Sequence, residues 1–474
     1  MSHVLVDTNA DRSRFAPTSG EPDAWPHTTR VLPWLLAVFL VMLWLLPFDA
    51  IDVRIQLPFD SKLDRAVLGV ITLVWLAVLL SNREGGPRFH ASPLNRGVVL
   101  VVAVAVASVL LNIERIELFG EHNLALKKLV LLASYVCFFF VVSSTLRIGE
   151  LRNFSILILV LGSLAALGTI WEYRTDFNVF FNWSAKLLPL GLFHVAPDIA
   201  DPIYERPAVT GPATHGLAIA TMFALALPFA IAGALNTQDR RSRALYLLAA
   251  AVLLTGAIAT IRKTAVIVPV AALTTLIAFR PRECLRLWPW GLAVVVVMVG
   301  LAPGAAGQVK SQLASIGTSQ STIGRTSDYE AIQPDLLAHR IIGRGYGTYD
   351  HDQYRLLDNQ YLGVLIETGL LGLASYLALI LVVVLIAVGP IRARDPVRGP
   401  PALAAAAAAA AFGVATALFD VLSFPQAPYL FFFVAGMAVV AASQSHVRLT
   451  AENEGAPEPS MHTSLKPFND VGPQ

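Results

Sequence analysis

Cysteine and charge are both scarce in this chain of 474 residues. Only 14% of the residues are charged, whereas 55% are hydrophobic, and a soluble protein carries roughly 25% charged residues. The two cysteines, Cys137 and Cys284, are too few for a cysteine-rich zinc site and give no reason to expect a disulfide. The net charge of +2 does not favour a nucleic-acid partner. The shortage of charge excludes a large soluble core and predicts a polytopic membrane protein.

The motifs of familiar soluble enzymes are missing as well. The sequence contains no GxxxxGK[ST] phosphate loop, no HExxH zinc motif and no GxSxG nucleophile turn. The GRGYG stretch at Gly343–Gly347 lacks the spacing of a dinucleotide-binding loop. His339 and His351 have no carboxylates at ligand-like spacing. We therefore expect neither a metal ion nor another cofactor.

Long apolar runs recur along the whole chain. Each has roughly the 16–25 residues that a helix needs to cross a bilayer, and the runs are continuous rather than alternating, which excludes barrel strands. The predicted fold is therefore an all-α membrane protein with about twelve transmembrane helices. These lie near residues 31–48, 66–81, 97–112, 128–145, 154–173, 212–235, 244–261, 264–279, 288–303, 361–388, 401–419 and 427–443.

Arginine is concentrated in alternate short loops. These arginines are Arg83, Arg88 and Arg96; Arg147 and Arg152; Arg240, Arg241 and Arg243; Arg280, Arg282 and Arg286; Arg392, Arg394 and Arg398. The positive-inside rule assigns such loops to the cytoplasm, which predicts that both termini are cytoplasmic. We expect a membrane domain at 31–443, whose first span acts as an uncleaved anchor, between disordered polar ends at 1–30 and 444–474.

Two long loops are predicted on the outer side, at 174–211 and 304–360. The first is rich in aromatic residues, which favours a helix lying on the outer leaflet or, alternatively, simple interface anchors. The second contains most of the stretch Gly324–Gly372, the longest run of polar chemistry in the chain. We interpret it as a partly helical active-site loop.

Several cations fall at or near the outer ends of spans: Arg206, Arg262, Lys263, Arg325 and Arg344. The planar arginine fork binds two phosphate oxygens at once, so such a group is suited to a diphosphate. Alternatively, each arginine contacts lipid headgroups or pairs with loop carboxylates. Two cations in the short outer turn at Arg262–Lys263 run against the positive-inside rule, which favours a function for them.

Two carboxylates lie where the polar loop re-enters the membrane. Partial burial there should raise the pKa of Asp358, as suits a general base. The alternative is that Asp358, with Asn359 beside it, caps the following helix. Glu367 lies within the apolar segment, where an acid is either functional or bonded to neighbouring helices.

These motifs together resemble the O-antigen ligase and polymerase superfamily. The resemblance rests on Gly324-Arg325, on the turn Gly343–Gly347, on Asp358-Asn359-Gln360-Tyr361-Leu362 and on the E-x-G-x-x-G ending Glu367–Gly372. Weaker similarity covers Arg206 to Pro228, including His215, and Arg262. The resemblance implies an integral-membrane, metal-independent glycosyltransferase of the cytoplasmic membrane, with an active site that faces outward.

The resemblance also implies the substrates and the roles of the residues. The donor would be a glycan linked to undecaprenyl diphosphate, and the acceptor a glycan or a lipid. The donor diphosphate would be held by Arg206, Arg262, Arg325 and Arg344. Supporting roles would fall to Lys263, His215, Asn359, Tyr361 and Glu367. The ligases of this superfamily carry His immediately before the Asn, whereas this sequence has Asp358 there, so we assign the base to Asp358.

The leading hypothesis is a polymerase of an exported, capsular or O-antigen polysaccharide, for which a chain-length regulator is a further expected partner. The alternative enzyme is a ligase that moves a finished glycan to a lipid or protein acceptor. A lipid-linked sugar transporter or flippase is the non-enzymatic alternative. Transporters place charges near the membrane midplane, whereas here the charges concentrate at the outer loops, which disfavours transport.

Overall fold

The computed structural model describes residues 31–53, 62–81, 86–188, 193–195, 208–314, 332–334, 336–350, 354 and 357–443. These residues are mainly helical. The helices are α1 (Val31–Leu45), α2 (Leu63–Leu80), α3 (Pro93–Leu111), α4 (Ile113–Phe119), α5 (His122–Thr145), α6 (Leu151–Thr175), α7 (Val179–Leu187), α8 (Gly216–Asn236), α9 (Arg240–Ala259), α10 (Thr264–Phe279), α11 (Pro281–Leu285), α12 (Trp288–Leu301), α13 (Ala305–Ala314), α14 (Gln360–Arg392), α15 (Gly399–Leu418) and α16 (Gln426–Ala442).

The predicted all-α membrane class is confirmed. Within the described ranges, eight helices are long and apolar enough to cross a bilayer: α2, α3, α5, α6, α8, α9, α14 and α15. Four shorter apolar helices, α1, α10, α12 and α16, coincide with the remaining predicted spans. All twelve predicted positions are therefore helical, while the number that cross the membrane stays a prediction.

Helices α8, α15 and α16 form the centre of the bundle, and every residue of α16 from Gln426 to Ala441 is buried. In an apolar stretch of 18 residues, 83% of the residues of α8 and 72% of those of α15 are buried, compared with 28% in α2 and α3. The run Ala404–Ala409 is fully buried. Small side chains allow helix backbones to approach closely, which is the usual basis of helix association in membranes. The alanine-rich segment therefore suits the close packing at this central position.

One end of the bundle collects the loops that the sequence assigns to the outer side. Thr214 donates to Asp49 at 3.1 Å, and Glu121 pairs with Arg344 at 2.9 Å. The backbone N–H of Leu422 donates to Gln360 at 2.9 Å. Five loops, which lie far apart in the chain, therefore meet around one region.

Two of the arginine-rich loops meet at the other end of α14, whose first residue is Gln360 and whose last is Arg392. Arg280 pairs with Glu283 at 3.1 Å and donates to the carbonyl of Ile391 at 3.0 Å. Arg394 lies 3.4 Å from the same Glu283 carboxylate. The charge asymmetry read from the sequence thus corresponds to two ends of the structure.

A two-stranded ribbon, which the sequence analysis did not predict, joins two of the outer loops. Strand β1 (Ile51–Val53) pairs antiparallel with β2 (Phe193–Val195), with Asp52 opposite His194. Lys62 pairs with Asp52 at 3.3 Å. The ribbon links the loop after α1 to the first long outer loop.

The first long outer loop also contains the predicted helix, α7. The side chain of Asn178 caps it by accepting the N–H groups of Phe180 and Phe181 at 3.0 and 3.2 Å. Both phenylalanines are buried, whereas Trp183 is 60% exposed. The position of α7 on a membrane surface stays a prediction.

Candidate functional site

Helix α14 is broken at Gly369, and the polar loop fills the break. Gly369 has φ 67° and ψ −167°. The break prevents the carbonyls of Ile366 and Glu367 from accepting the N–H groups of Leu370 and Leu371, as an unbroken helix requires. Residues 340–345 replace both sets of partners.

Four backbone hydrogen bonds make this replacement. Arg344 N–H donates to Ile366 at 2.9 Å, and Gly345 N–H donates to Glu367 at 3.0 Å. In return, Leu370 N–H donates to Arg340 at 2.9 Å, and Leu371 N–H donates to Ile341 at 3.1 Å. The Gly-rich turn and the E-x-G-x-x-G motif are therefore two halves of one structure, which we call the helix-break lock (residues 340–345 and 366–371).

Two glycines in the lock have no room for a side chain. A Cβ on Gly343 would lie 2.3 Å from the carbonyl carbon of Glu367, and one on Gly369 would lie 2.3 Å from that of Ile341. Both glycines also have positive φ, 76° and 67°, which L-residues adopt at a cost. Ser108 Oγ, at 2.8 and 2.7 Å from the Ile342 and Glu367 carbonyl oxygens, braces the lock from α3.

Arg344 lies inside the protein, where Glu121 holds it. Its side chain is 2% exposed and pairs with the Glu121 carboxylate at 2.9 Å. Tyr354 donates to the same carboxylate at 2.9 Å, and its ring lies 4.2 Å below the Arg344 guanidinium. Arg115 completes the group, which we call the Glu121 clamp (Arg115, Glu121, Arg344 and Tyr354), by pairing with Glu121 at 3.0 Å. Arg344 would have to leave Glu121 to reach a diphosphate, so its predicted role in donor binding stays a prediction.

Glu367 is buried next to a lysine that the sequence analysis did not select. Its side chain is 6% exposed, and Oε1 lies 3.4 Å from Lys128 Nζ. The Tyr349 N–H donates to the same oxygen at 3.2 Å. The sequence allowed two interpretations of Glu367, a functional acid or an acid bonded to neighbouring helices. The structure shows a bond to a neighbouring helix, because Lys128 belongs to α5.

A polar cleft opens beside this ion pair. It is partly open to solvent, and we call it the Lys128 cleft. Its lining residues are Lys128, Tyr349, Leu357, Asn359, Gln360, Gly363, Glu367 and Asp420. Gln360 accepts the Leu422 N–H at 2.9 Å, so the short loop that contains Asp420 is fixed to the start of α14.

Asp358 lies at the edge of this cleft, between Leu357 and Asn359, which both line it. Its side chain is half-buried. The cap of α14 is Asn359 rather than Asp358, because the Asn359 side chain accepts the Tyr361 N–H at 3.0 Å. Tyr361 in turn donates to the Gly413 carbonyl at 2.7 Å and ties α14 to α15. Asp358 is thus free of the capping role, and its role as a base stays a prediction.

A second group forms at the start of α8. His215 caps this helix by accepting the Leu217 N–H at 3.2 Å, and its ring lies 5.1 Å from that of Phe424. A Cβ built on Gly216 would lie 3.5 Å from Arg262 Nε, so Arg262 passes directly beside the helix start. The positive end of the helix dipole and the guanidinium therefore reinforce each other. The half-buried Lys263 follows in the same turn.

The segment before α8 is held rigidly. The Glu172 carboxylate accepts the N–H groups of Thr210 and Gly211 at 3.0 and 2.8 Å. Thr214 donates to the Asp49 carboxylate at 3.1 Å. Burial raises the pKa of the Asp49 carboxyl above its usual range, with Lys62 opposing the shift. These contacts fix the position of His215 without any ligand.

The predicted site residues fall into two groups that share one loop. Asn359, Tyr361, Glu367 and Arg344 surround the helix-break lock, whereas His215 and Arg262 meet at α8. The segment 419–425 connects them, because Asp420 lines the cleft and Phe424 contacts His215. Arg206 and Arg325 lie outside the described residues, as do the predicted disordered ends.

Sequence reasoning missed Lys128, Glu121 and Asp420. One signal was available for Lys128, because the pair Lys127-Lys128 stands at a predicted outer end of a span, against the positive-inside rule. Glu121 and Asp420 lie in short outer loops, where nothing in the sequence distinguishes them from solvated acids. Their selection needed the three-dimensional contacts.

One protein-family model matches a part of the chain that contains several of these site residues. Residues 248–377 match the family model described as O-antigen ligase. The matched segment begins within α9 and ends within α14, so it includes Arg262, Asp358 and the helix-break lock. No curated protein matched the chain. The resemblance to the O-antigen ligase and polymerase superfamily is therefore confirmed, and it rests on residues 248–377.

Proposed function

We propose that this protein is a membrane glycosyltransferase that polymerises undecaprenyl-diphosphate-linked repeat units into an exported polysaccharide. The observation that carries the proposal is that the O-antigen ligase match includes Arg262, Asp358 and the helix-break lock. A family of this kind supports glycan transfer from a lipid-linked donor. The site also lies at the end of the bundle opposite the arginine-rich loops, which supports an outward-facing active site.

The start of α8 is the best-supported place for the donor diphosphate. Arg262 and the helix dipole both favour an anion there, and the His215 ring stands beside them. Arg206 and Arg325 are proposed to complete this group. A diphosphate is already a good leaving group, and cations that stabilise its developing charge lower the barrier without requiring a metal ion.

The transfer itself is a substitution at the anomeric carbon of the donor. The acceptor oxygen forms a bond to that carbon, while the bond from the carbon to the diphosphate oxygen breaks. The electron pair leaves with the diphosphate, and the hydroxyl proton goes to the carboxylate of Asp358. A half-buried carboxylate at the cleft edge is suited to this task, because a positioned base typically contributes about 10²–10⁴-fold to the rate.

Replacing Asp358 by Asn tests this assignment. We expect glycan chain growth to be lost in cells and with the pure protein, while the protein still folds and reaches the membrane. Asp176→Asn is the matched control, because Asp176 is exposed with φ 53°, a conformation that Asn also tolerates. Wild-type chain lengths in the Asp358→Asn strain would contradict the role of the base.

The description of the matched family as O-antigen ligase favours a second candidate. A ligase would transfer a finished glycan to a lipid or protein acceptor and could use the same site. A deletion strain separates the two, since loss of a polymerase leaves single lipid-linked repeat units and loss of a ligase leaves lipid-linked polymer. Accumulated polymer would therefore replace the polymerase proposal with the ligase.

A further inference from the structure

We propose that the Lys128 cleft is the binding site for the acceptor sugar, a subsite separate from the one that holds the donor diphosphate. The inference rests on the proposed glycan transfer. It assigns the acceptor to Lys128, Asn359, Gln360 and Asp420, and not to the arginines. The observation behind it is the juxtaposition of these four polar side chains around one opening.

The negative charge of the cleft suits the acceptor sugar and not the donor diphosphate. Among the described residues that line it there are one cation, Lys128, and two carboxylates, Glu367 and Asp420, so their formal sum of +1 and −2 is −1. Asp358 at the edge makes the region more negative still. A diphosphate would be repelled here, whereas a neutral sugar would not. The arginine and the helix dipole at α8 have the opposite sign and attract the anion.

The hydrogen-bonding groups of the cleft match a polyhydroxylated ligand. A hydroxyl both donates and accepts, so a sugar needs donors and acceptors side by side. The Asn359 and Gln360 amide oxygens are engaged by the N–H groups of Tyr361 and Leu422. What these two amides present to a ligand is therefore their N–H groups. Asp420 supplies a hydrogen-bond acceptor. The Lys128 side chain is 25% exposed, and its ammonium supplies further hydrogen-bond donors.

The lysine is held in place for this role. Its bond to Glu367 is 3.4 Å long, and an ammonium carries three donors. Glu367 is itself fixed by the Tyr349 N–H at 3.2 Å. A ligand in the cleft thus meets a cation positioned by the helix-break lock.

The position of the cleft fits the reaction geometry. Leu357 and Asn359, the chain neighbours of the proposed base Asp358, both line it, so the cleft lies beside this segment of the chain. The loop that contains Asp420 continues to Phe424, which contacts His215 beside the diphosphate group. One short loop therefore joins the acceptor subsite to the donor subsite, as a transfer between two bound sugars requires.

Steady-state kinetics of the purified full-length protein test the assignment, with labelled lipid-linked donor and a separately varied acceptor. Asp420→Asn removes the charged hydrogen-bond acceptor of the cleft. Gln360→Glu keeps the oxygen that accepts the Leu422 N–H but removes the side-chain N–H groups. Each should raise the acceptor KM roughly tenfold to a hundredfold, the usual effect of losing a hydrogen bond to a charged or buried group, and leave the donor KM unchanged. Asp52→Asn is the control, because Asp52 is a carboxylate that is 48% exposed, pairs with Lys62 and does not line the cleft.

Three outcomes overturn the proposal: an increase in the donor KM alone, no change in either KM, or the same increase in the Asp52→Asn control. Binding of a free oligosaccharide of one repeat unit, measured by saturation-transfer NMR, separates this proposal from glycan transfer. Wild-type protein that binds the oligosaccharide through Asp420 but transfers nothing would refute transfer and keep the subsite. Normal transfer by the wild type, together with equal binding of the oligosaccharide by the wild type and by Asp420→Asn, would refute the subsite alone.

Discussion

Replacing Glu121 by Gln is expected to destabilise the protein severely, although Glu121 lies far from Arg344 in the sequence. The carboxylate is the only anion in the Glu121 clamp and faces two cations. Arg344 and Arg115 lie 2.9 and 3.0 Å from its oxygens. The neutral glutamine keeps the shape of the side chain and removes the charge, so the buried Arg344 loses this counter-ion.

The expected loss follows from this burial. Removing one partner of a buried ion pair costs about 3–5 kcal/mol, because the other charge stays desolvated. The exposed fraction of both the Arg344 and Glu121 side chains is 2%, so solvent cannot compensate. The Arg344 backbone is also part of the helix-break lock, and the loss should therefore loosen the loop that ends at Asp358.

Denaturant unfolding in detergent, followed by tryptophan fluorescence, measures this effect. Glu117→Gln is the matched control, since Glu117 is an exposed glutamate on the neighbouring helix α4, and surface changes of this kind stay within about 0.5 kcal/mol. If Glu121→Gln unfolds at the same denaturant concentration as Glu117→Gln, the clamp is not structural. Arg344 would then be available to bind the donor diphosphate, as the sequence predicted.

Three further predictions concern the loops. Gly369→Ala should destabilise the protein by more than about 3 kcal/mol in the same assay, because it adds positive-φ strain to a backbone clash, whereas Gly291→Ala, which meets no atom within 4 Å, should be neutral or stabilising. Burial lowers the pKa of His90 below its usual 6.5, and the Arg88 charge adds to this shift. The neutral imidazole therefore contributes stability that is fully present above about pH 6.5 and is lost as the pH falls through the folded-state pKa. The melting temperature should fall on acidification in the wild type and fall less in His90→Gln. Asn359→Ala should cost about 1 kcal/mol of helix capping and Asn359→Asp much less, as measured by denaturant unfolding.

The helices were predictable from the sequence because their cause is local. A continuous apolar run must be helical to satisfy its backbone in a bilayer, and the span predicted at 264–279 is found at Thr264–Phe279. The span predicted at 361–388 is found at Gln360–Arg392. The differences lie at the ends, where caps such as Asn359 decide the boundary and hydropathy carries little information.

The candidate site was predictable only in part, because its contacts join distant parts of the chain. Glu121 and Arg344 are 223 residues apart, and Lys128 and Glu367 are 239 residues apart. The sequence identified Arg344 and Glu367 as unusual but offered no means to find their partners. It assigned Arg344 to the donor diphosphate, which stays a prediction, and the structure adds a buried pair with Glu121.

The most direct test of the proposed glycan transfer is an assay with the purified protein, labelled lipid-linked repeat units and no ion gradient. The proposal predicts a ladder of longer labelled glycans and release of the lipid diphosphate, both lost in Asp358→Asn and retained in Asp176→Asn. Movement of the label across vesicle membranes without any longer product would contradict transfer and favour a transporter.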